Sequence, residues 1–167
     1  LTGHLMGLLL ATSDSRIVSL SSMAHRMGKL NFDDLQREKR YFAWEAYGQS
    51  KVACLFFTYE LQRRLAATGA QCMAVSSHPG WTDTNLQANS WSARTFGAVL
   101  AMKPEGGVGP SLRAATDITA QGGSYYGPSG FMEISGAPKV VTSNRYSRNE
   151  EVAMRLWRVS QELTGVR

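Results

Sequence analysis

The chain has 167 residues, with 18 basic and 13 acidic side chains and a net charge of +5. This length suits one domain with a sizeable core, whereas the scattered basic residues lack the continuous stripe that a nucleic-acid interface needs. The two cysteines form no Cys-x-x-Cys pair and the three histidines are dispersed, so we predict no metal site. No apolar run approaches the ~18 residues of a membrane span, and we expect a cytoplasmic protein with reduced cysteines.

The first part of the chain predicts a helix, a strand and an insertion. Residues 1–11 are apolar on most sides, as in the end of a buried helix. Residues 16–22 contain a short apolar run that predicts a buried strand, closed by Ser21 and Ser22. Residues 23–45 are polar, and we expect them to form a mostly irregular insertion.

The clearest predicted element is a helix over residues 46–68, which ends at Gly69. Its apolar residues fall on two opposite faces with helical spacing. The first face contains Val52, Leu55, Phe56 and Tyr59, and the second contains Cys54, Phe57, Leu61 and Leu65. We expect one face to pack on a sheet and the other on a partner helix or a second subunit, so the helix is also a candidate homo-oligomer contact.

A second strand is predicted over residues 71–77, and it ends at His78, Pro79 and Gly80. The order strand, helix, strand implies a right-handed parallel crossover. In such sheets the carboxyl ends of the strands share one edge, and ligands bind there. We therefore expect the serines that close the first strand to lie at the same edge as the His-Pro-Gly segment.

The last part of the chain predicts a loop and three further elements. The loop over residues 81–102 is apolar enough to cover a lipophilic substrate, although ordinary loop packing explains its composition equally well. A helix is expected near residues 110–116, and a short final strand over residues 122–128. Residues 147–150 match a capping box, which predicts the start of a tail helix.

Tyr47 and Lys51 form the candidate reactive pair. Residues i and i+4 share one helix face, so the phenol and the ammonium can act on one substrate atom. A phenol stays protonated at neutral pH unless a nearby cation stabilises its phenolate, and a partly desolvated lysine provides that charge. This is the arrangement of a general acid/base for carbonyl and alcohol chemistry. By itself, the spacing also fits a tyrosine and a lysine on a solvated helix face.

Several motifs together carry a resemblance to a known family. They are Arg16-Ile17-Val18-Ser19-Leu20-Ser21-Ser22-Met23-Ala24-His25, Ala46-Tyr47-Gly48-Gln49-Ser50-Lys51, His78-Pro79-Gly80-Trp81-Thr82-Asp83-Thr84, Tyr125-Tyr126-Gly127-Pro128 and Leu156-Trp157. The chain resembles the short-chain dehydrogenase/reductase family, and more narrowly its retinol-dehydrogenase-like branch, including bacterial oxidoreductases of that type. The long insertion between the serines and the tyrosine fits this branch, and the resemblance covers nearly the whole chain.

The resemblance implies an NAD(P)-dependent oxidoreductase that interconverts a small-molecule alcohol and a carbonyl. Tyr47 would exchange a proton with the substrate oxygen, and Lys51 would stabilise the phenolate and bind the cofactor ribose. Ser22 would stabilise the developing alkoxide, whereas we expect Ser21 to bond to backbone and His25 to be structural. The segment that contacts the nicotinamide half of the cofactor matches Pro79, Gly80, Thr82 and Thr84.

The same comparison implies that residues 1–167 are a partial single domain. The sequence contains neither a Gly-x-x-x-Gly-x-Gly turn, which would cradle the cofactor pyrophosphate, nor the Asn-Ala-Gly segment of the family. We therefore expect an α/β fold, the C-terminal part of a doubly wound Rossmann-type parallel sheet without the N-terminal strands and the Gly-rich loop. The strand over residues 16–22 would then be an exposed sheet edge.

Two alternatives stay open. One is a truncated, non-catalytic remnant that associates through its helix faces and binds no dinucleotide. The other is a serine hydrolase that uses Ser22 or Ser77 with His78, but no Gly-x-Ser-x-Gly elbow is present and adjacent strand residues point to opposite faces. The expected cofactor is NAD or NADP. Both stay open, because the residues that read the ribose 2′ position would precede Leu1.

Overall fold

The computed structural model describes residues 1–80 and 104–166, which form an α/β structure. In chain order, its elements are α1 (Thr2–Ala11), β1 (Arg16–Leu20), α2 (Ala43–Ala67), β2 (Met73–Ser77), α3 (Pro104–Thr116), β3 (Tyr125–Pro128), β4 (Pro138–Val141) and α4 (Glu150–Thr164). Short 3₁₀ helices lie at Met23–Arg26, Phe131–Glu133 and Tyr146–Arg148. Within the two described ranges, no helix combines the length and the apolar character that crossing a membrane requires.

The four strands form one sheet in the order β1, β2, β3, β4. β1 pairs with β2 in parallel, from Arg16 opposite Met73 to Leu20 opposite Ser77, and β2 pairs with β3 in parallel. β4 runs antiparallel to β3. The predicted α/β fold class and the parallel β1–α2–β2 arrangement are confirmed, and β1 lies at one edge of the sheet as expected.

α2 packs between the sheet and α4, which explains its two apolar faces. On the sheet side, Leu61 belongs to a buried cluster with Ile17 of β1. On the other side, Val52 and Phe56 pack with Ala153 of α4. Each large side chain buried in this way contributes roughly 1.5–3 kcal/mol. The predicted partner helix is therefore α4 of the same chain, and contact with a second subunit stays a prediction.

The structure corrects the predicted boundaries of the insertion. α2 begins at Ala43 rather than at residue 46, because Phe42 is extended and its carbonyl oxygen already accepts the first helical bond, from the N–H of Ala46. At the other end of the insertion, Ser22 caps the 3₁₀ helix Met23–Arg26. The remaining residues 27–42 contain no helix or strand, as expected for a mostly irregular insertion.

The structure also corrects the predicted final strand and the predicted capping box. The predicted final strand is β3, but β4 follows it and pairs back on it. The four residues of β4 are too short and too exposed to show an alternating pattern. The predicted capping box over residues 147–150 is wrong, because the cap of α4 is Asn149, whose Oδ1 accepts from Val152 N at 3.1 Å. Ser147 is buried and its hydroxyl bonds to the Asn144 carbonyl oxygen at 2.8 Å.

α3 is longer than the sequence predicted. It begins at Pro104 rather than near residue 110, and it continues through Pro110. The glycines and proline of this stretch disfavour a helix by propensity. Ala114 of α3 packs with Val75 and Tyr126 of the sheet in a buried cluster, and such tertiary packing overrides weak propensity.

Candidate active site

Tyr47 and Lys51 lie on one face of α2, where β1 ends. Lys51 Nζ is 5.5 Å from the centroid of the Tyr47 ring. It also donates to the carbonyl oxygen of Leu20, the last residue of β1, at 3.4 Å. Both side chains are half-buried. The predicted shared face is confirmed, and the ammonium lies within cation–π range of the Tyr47 ring.

Close backbone packing fixes the first turns of α2. A Cβ on Gly28 would collide with the Gly48 carbonyl oxygen, and a Cβ on Gly48 would lie 3.2 Å from Gly28 Cα. The buried Gln49 side chain accepts from Asn31 N at 3.1 Å and donates to Leu35 O at 2.8 Å. These contacts tie the start of α2 to the insertion, and the sequence analysis did not identify them.

Ser21 and Ser22 have different environments at the end of β1. Ser21 is buried, and its Oγ donates to the Lys51 carbonyl oxygen at 2.9 Å. This backbone bond is the one predicted for Ser21. Ser22 is half-buried, and its Oγ accepts from Ala24 N at 3.2 Å. A hydroxyl that accepts one bond can still donate its proton to another oxygen.

Pro79 and Gly80 follow β2 at the same sheet edge, because Ser77 lies opposite Leu20. Gly80 has a φ of +79°, a conformation that glycine adopts without steric cost. A Cβ at this position would also collide with the carbonyl oxygen of Ile134. The backbone at the end of β2 therefore requires glycine.

Two buried histidines lie at these strand ends. His78 Nε2 is 3.1 Å from Glu133 Oε2, and Gly80 N–H donates to His78 Nδ1 at 3.2 Å. His25 Nδ1 is 2.6 Å from the Ser22 carbonyl oxygen, which fits the structural role predicted for His25. Burial lowers the pKa of both histidines, and for His78 it outweighs the opposing effect of the Glu133 carboxylate. Both rings are therefore neutral at pH 7.

Sequence reasoning missed Glu133 and Arg26. Arg26 Nη2 lies 3.1 Å from Glu133 Oε1, so the carboxylate bridges Arg26 and His78. Arg26 and Glu133 are 107 positions apart in the chain. No local spacing signals a contact over that distance, and only the folded sheet brings the two side chains together.

The serine hydrolase alternative does not fit the geometry at His78. Ser77 Oγ lies 3.1 Å from Ser111 Oγ, whereas the His78 ring pairs with Glu133. The two side chains thus meet different neighbours, as successive residues at a strand end do. Among residues 1–80 and 104–166, no group of three His, Cys, Asp or Glu side chains is placed to hold a metal ion.

No protein-family model matches the chain. The chain is similar to retinol dehydrogenase 12 of Mus musculus, with 38% identity over 172 residues that cover 99% of this chain and 51% of that protein. It is similar to retinol dehydrogenase 13 of Homo sapiens, with 36% identity over 178 residues and 99% and 50% covered. Polyprenol dehydrogenase of Homo sapiens shares 35% identity over 159 residues, with 91% and 46% covered.

A solved structure agrees with these relatives. The crystal structure of an uncharacterized protein from Mycobacterium Paratuberculosis has a TM-score of 0.74 and 36% identity, and the match covers 98% of this chain and 55% of that one. The chain belongs to the short-chain dehydrogenase/reductase family. Within that family its relatives are retinol-dehydrogenase-like. The chain spans about half the length of the curated relatives it matches, which is consistent with a C-terminal portion of a short-chain dehydrogenase/reductase.

The site residues predicted from the resemblance to short-chain dehydrogenase/reductases fall into two groups. One group lies at the carboxyl ends of β1 and β2 or on the adjoining face of α2: Ser22, Tyr47, Lys51, Pro79 and Gly80. The other group, Thr82 and Thr84, lies outside the described residues, and so does the predicted substrate loop over residues 81–102. The catalytic and cofactor-binding roles of both groups stay predictions.

Proposed function

We propose that the protein containing this chain is an NAD(P)-dependent oxidoreductase that interconverts a lipophilic alcohol and its carbonyl counterpart. The names of its relatives, retinol dehydrogenase and polyprenol dehydrogenase, support this chemistry. The observation that carries the residue assignment is the Tyr47–Lys51 pair, with Lys51 Nζ 5.5 Å from the Tyr47 ring centroid. Cys54 and Cys72 are unpaired, which supports a reducing compartment, and we propose the cytoplasm.

Tyr47 is the proposed acid/base. In the oxidation direction, its phenolate takes the hydroxyl proton of the alcohol while the carbinol carbon gives up a hydride, and a carbonyl forms. In the reduction direction, the phenol returns the proton to the carbonyl oxygen. Lys51 stabilises the phenolate electrostatically. Ser22 donates a hydrogen bond to the substrate oxygen as negative charge develops on it.

A nicotinamide dinucleotide, NAD or NADP, accepts or supplies the hydride when it is bound. The residues present fit its nicotinamide-ribose half, because Tyr47 and Lys51 offer hydrogen-bonding groups where β1 ends, and Gly80 follows the end of β2 at the same sheet edge. The proposed contact set also includes Pro79, Thr82 and Thr84. The 167 residues contain no Gly-x-x-x-Gly-x-Gly turn, so no residue of this chain is assigned to the pyrophosphate.

Tyr47→Phe tests the assignment in the full-length protein. We expect kcat for alcohol oxidation to fall by at least about 10²-fold, because the variant has no phenolic proton to exchange. NADPH or NADH should still bind, as fluorescence titration measures, because the other proposed cofactor contacts are unchanged. Tyr41→Phe is the matched control, since Tyr41 is 69% exposed and its loss should leave kcat unchanged. A Tyr47→Phe variant with wild-type kcat would sink the assignment.

A non-catalytic chain that associates through its helix faces is the second candidate. The lack of a Gly-rich turn within the 167 residues favours it. Against it, both apolar faces of α2 are already covered within the chain, by the sheet and by α4. Titration of the 167-residue chain with NADPH separates the two candidates. Saturable binding in the micromolar range contradicts the non-catalytic candidate, and dimerisation without any binding supports it.

A further inference from the structure

A network of polar side chains joins the end of β2 to the segment between β3 and β4. His78 is fully buried, and its Nε2 lies 3.1 Å from Glu133 Oε2. The second oxygen of the carboxylate, Oε1, lies 3.1 Å from Arg26 Nη2. Glu133 is therefore held from two sides, by a residue that follows β1 and by one that follows β2.

The hydrogen bonds fix the tautomer of the His78 ring. Gly80 N–H donates to Nδ1 at 3.2 Å, so Nδ1 carries no proton. A neutral imidazole then holds its proton on Nε2, where it donates to the Glu133 carboxylate. Burial lowers the pKa of His78 and keeps the ring neutral, which agrees with this assignment. Glu133 thus selects the tautomer whose Nδ1 accepts from Gly80.

The backbone around the pair is strained and closely packed. Met132 and Glu133 have φ values of +51° and +57°, a region that costs a non-glycine residue roughly 1–3 kcal/mol. A Cβ on Gly127 would collide with His78 Nε2, so only glycine leaves room for the ring. Such strain persists where surrounding contacts hold it, and it clusters at functional sites. Here the hydrogen bonds connect Glu133 to His78 and His78 to Gly80.

We propose that Glu133 and His78 form a positioning pair that holds the Gly80 backbone in place for the nicotinamide half of the cofactor. The inference rests on the proposed function, since Gly80 is a cofactor contact only there. His78 acts through Gly80 and touches neither cofactor nor substrate. A displaced Gly80 would weaken cofactor binding and lower turnover, because small errors of position are costly in a preorganised site.

Two substitutions of His78 separate positioning from packing. The side-chain amide of Asn reaches the place of imidazole Nδ1, and that of Gln reaches the place of Nε2. His78→Asn therefore keeps an acceptor for Gly80 N–H and loses the bond to Glu133. His78→Gln keeps the bond to Glu133 and loses the acceptor for Gly80. Because Gln is closer to His in volume, a pure packing role predicts that His78→Gln is the milder change.

The experiment compares wild type and the two variants of the full-length protein. The first readout is amide hydrogen exchange at Gly80 without ligand, which should stay slow in His78→Asn and become at least about tenfold faster in His78→Gln. The second readout is the NADPH or NADH dissociation constant. We expect it to stay near wild type in His78→Asn and to rise at least about tenfold in His78→Gln. Thermal melting shows whether each variant is folded.

Equal exchange at Gly80 in the two variants, or a milder effect of His78→Gln, overturns the inference. If either variant does not fold, Glu133→Gln replaces the comparison: faster Gly80 exchange supports the positioning pair, and unchanged exchange overturns it. The proposed function fails separately, if wild type binds no dinucleotide or if Tyr47→Phe retains turnover. Tyr47-dependent turnover together with equivalent His78 variants means that only the positioning pair is wrong.

Discussion

In the first half of α2, residues 43–51, a close contact between Gly48 and Gly28 and the buried amide of Gln49 hold the helix in place. In its second half, residues 52–67, buried apolar side chains do so, in contact with the sheet and with α4. The first half leaves Tyr47 and Lys51 half-buried, whereas the second half supplies most of the core contacts of the helix. One helix therefore has two roles: its first half positions the candidate site, and its second half stabilises the fold.

Phe56→Ala removes a core side chain from the second half of α2 and should have the largest effect on stability. Phe56 is fully buried, and its ring centroid lies 5.3 Å from that of Tyr146. Its loss should lower the free energy of unfolding by about 3–5 kcal/mol, measured by urea denaturation. We expect kcat per folded molecule to stay at the wild-type value. A variant with normal stability but little turnover would contradict these separate roles of the two halves of α2.

Gly48→Ala changes the first half of α2 at its close contact with Gly28. The new Cβ would lie 3.2 Å from both Ala24 O and Gly28 Cα, so these backbone atoms must give way by a few tenths of an ångström. Overpacking of this kind costs about 1–3 kcal/mol, and kcat should fall as well because the shift displaces the neighbouring Tyr47. Gly7→Ala in α1 is the matched control, since no atom lies within 4 Å of its added Cβ. The control should gain about 0.5–1 kcal/mol, and the same gain in Gly48→Ala would refute the close-contact explanation.

The pH dependence of stability tests whether His25 and His78, at the strand ends, are buried in neutral form. Burial holds the folded-state pKa values of His25 and His78 below the ordinary 6.5, and the groups that face His78 are Glu133, Arg26, Tyr125 and His25. Below pH 6.5 the unfolded chain binds protons that the folded chain does not. Stability should therefore fall with decreasing pH, by up to about 1.4 kcal/mol per pH unit for each histidine.

Urea denaturation at several pH values between 5.5 and 7.5 measures this slope. His78→Asn should make it shallower, because that variant has one titrating group fewer. Stability that is flat over this range, or that rises as the pH falls, would show that the two histidines are not buried in neutral form.

Local patterns made much of the fold and part of the site predictable. The two faces of α2 and the polar ends of β1 and β2 follow from short-range periodicity, and Tyr47 and Lys51 share a face because of their spacing alone. β4 escaped prediction because it is only four residues long and exposed. The Gly48–Gly28 contact and the bridge from Arg26 through Glu133 to His78 escaped it because their partners are distant in sequence.

The most direct test of the central claim compares Tyr47→Phe with Tyr59→Phe, one in each half of α2. Tyr59 donates its hydroxyl to Ser143 Oγ at 2.8 Å, so its loss should cost about 1 kcal/mol of stability and leave kcat unchanged. Tyr47→Phe should lower kcat by at least about 10²-fold and leave the melting temperature unchanged. Retained turnover in Tyr47→Phe, or equal loss of turnover in both variants, would contradict the assignment of the chemistry to the first half of α2.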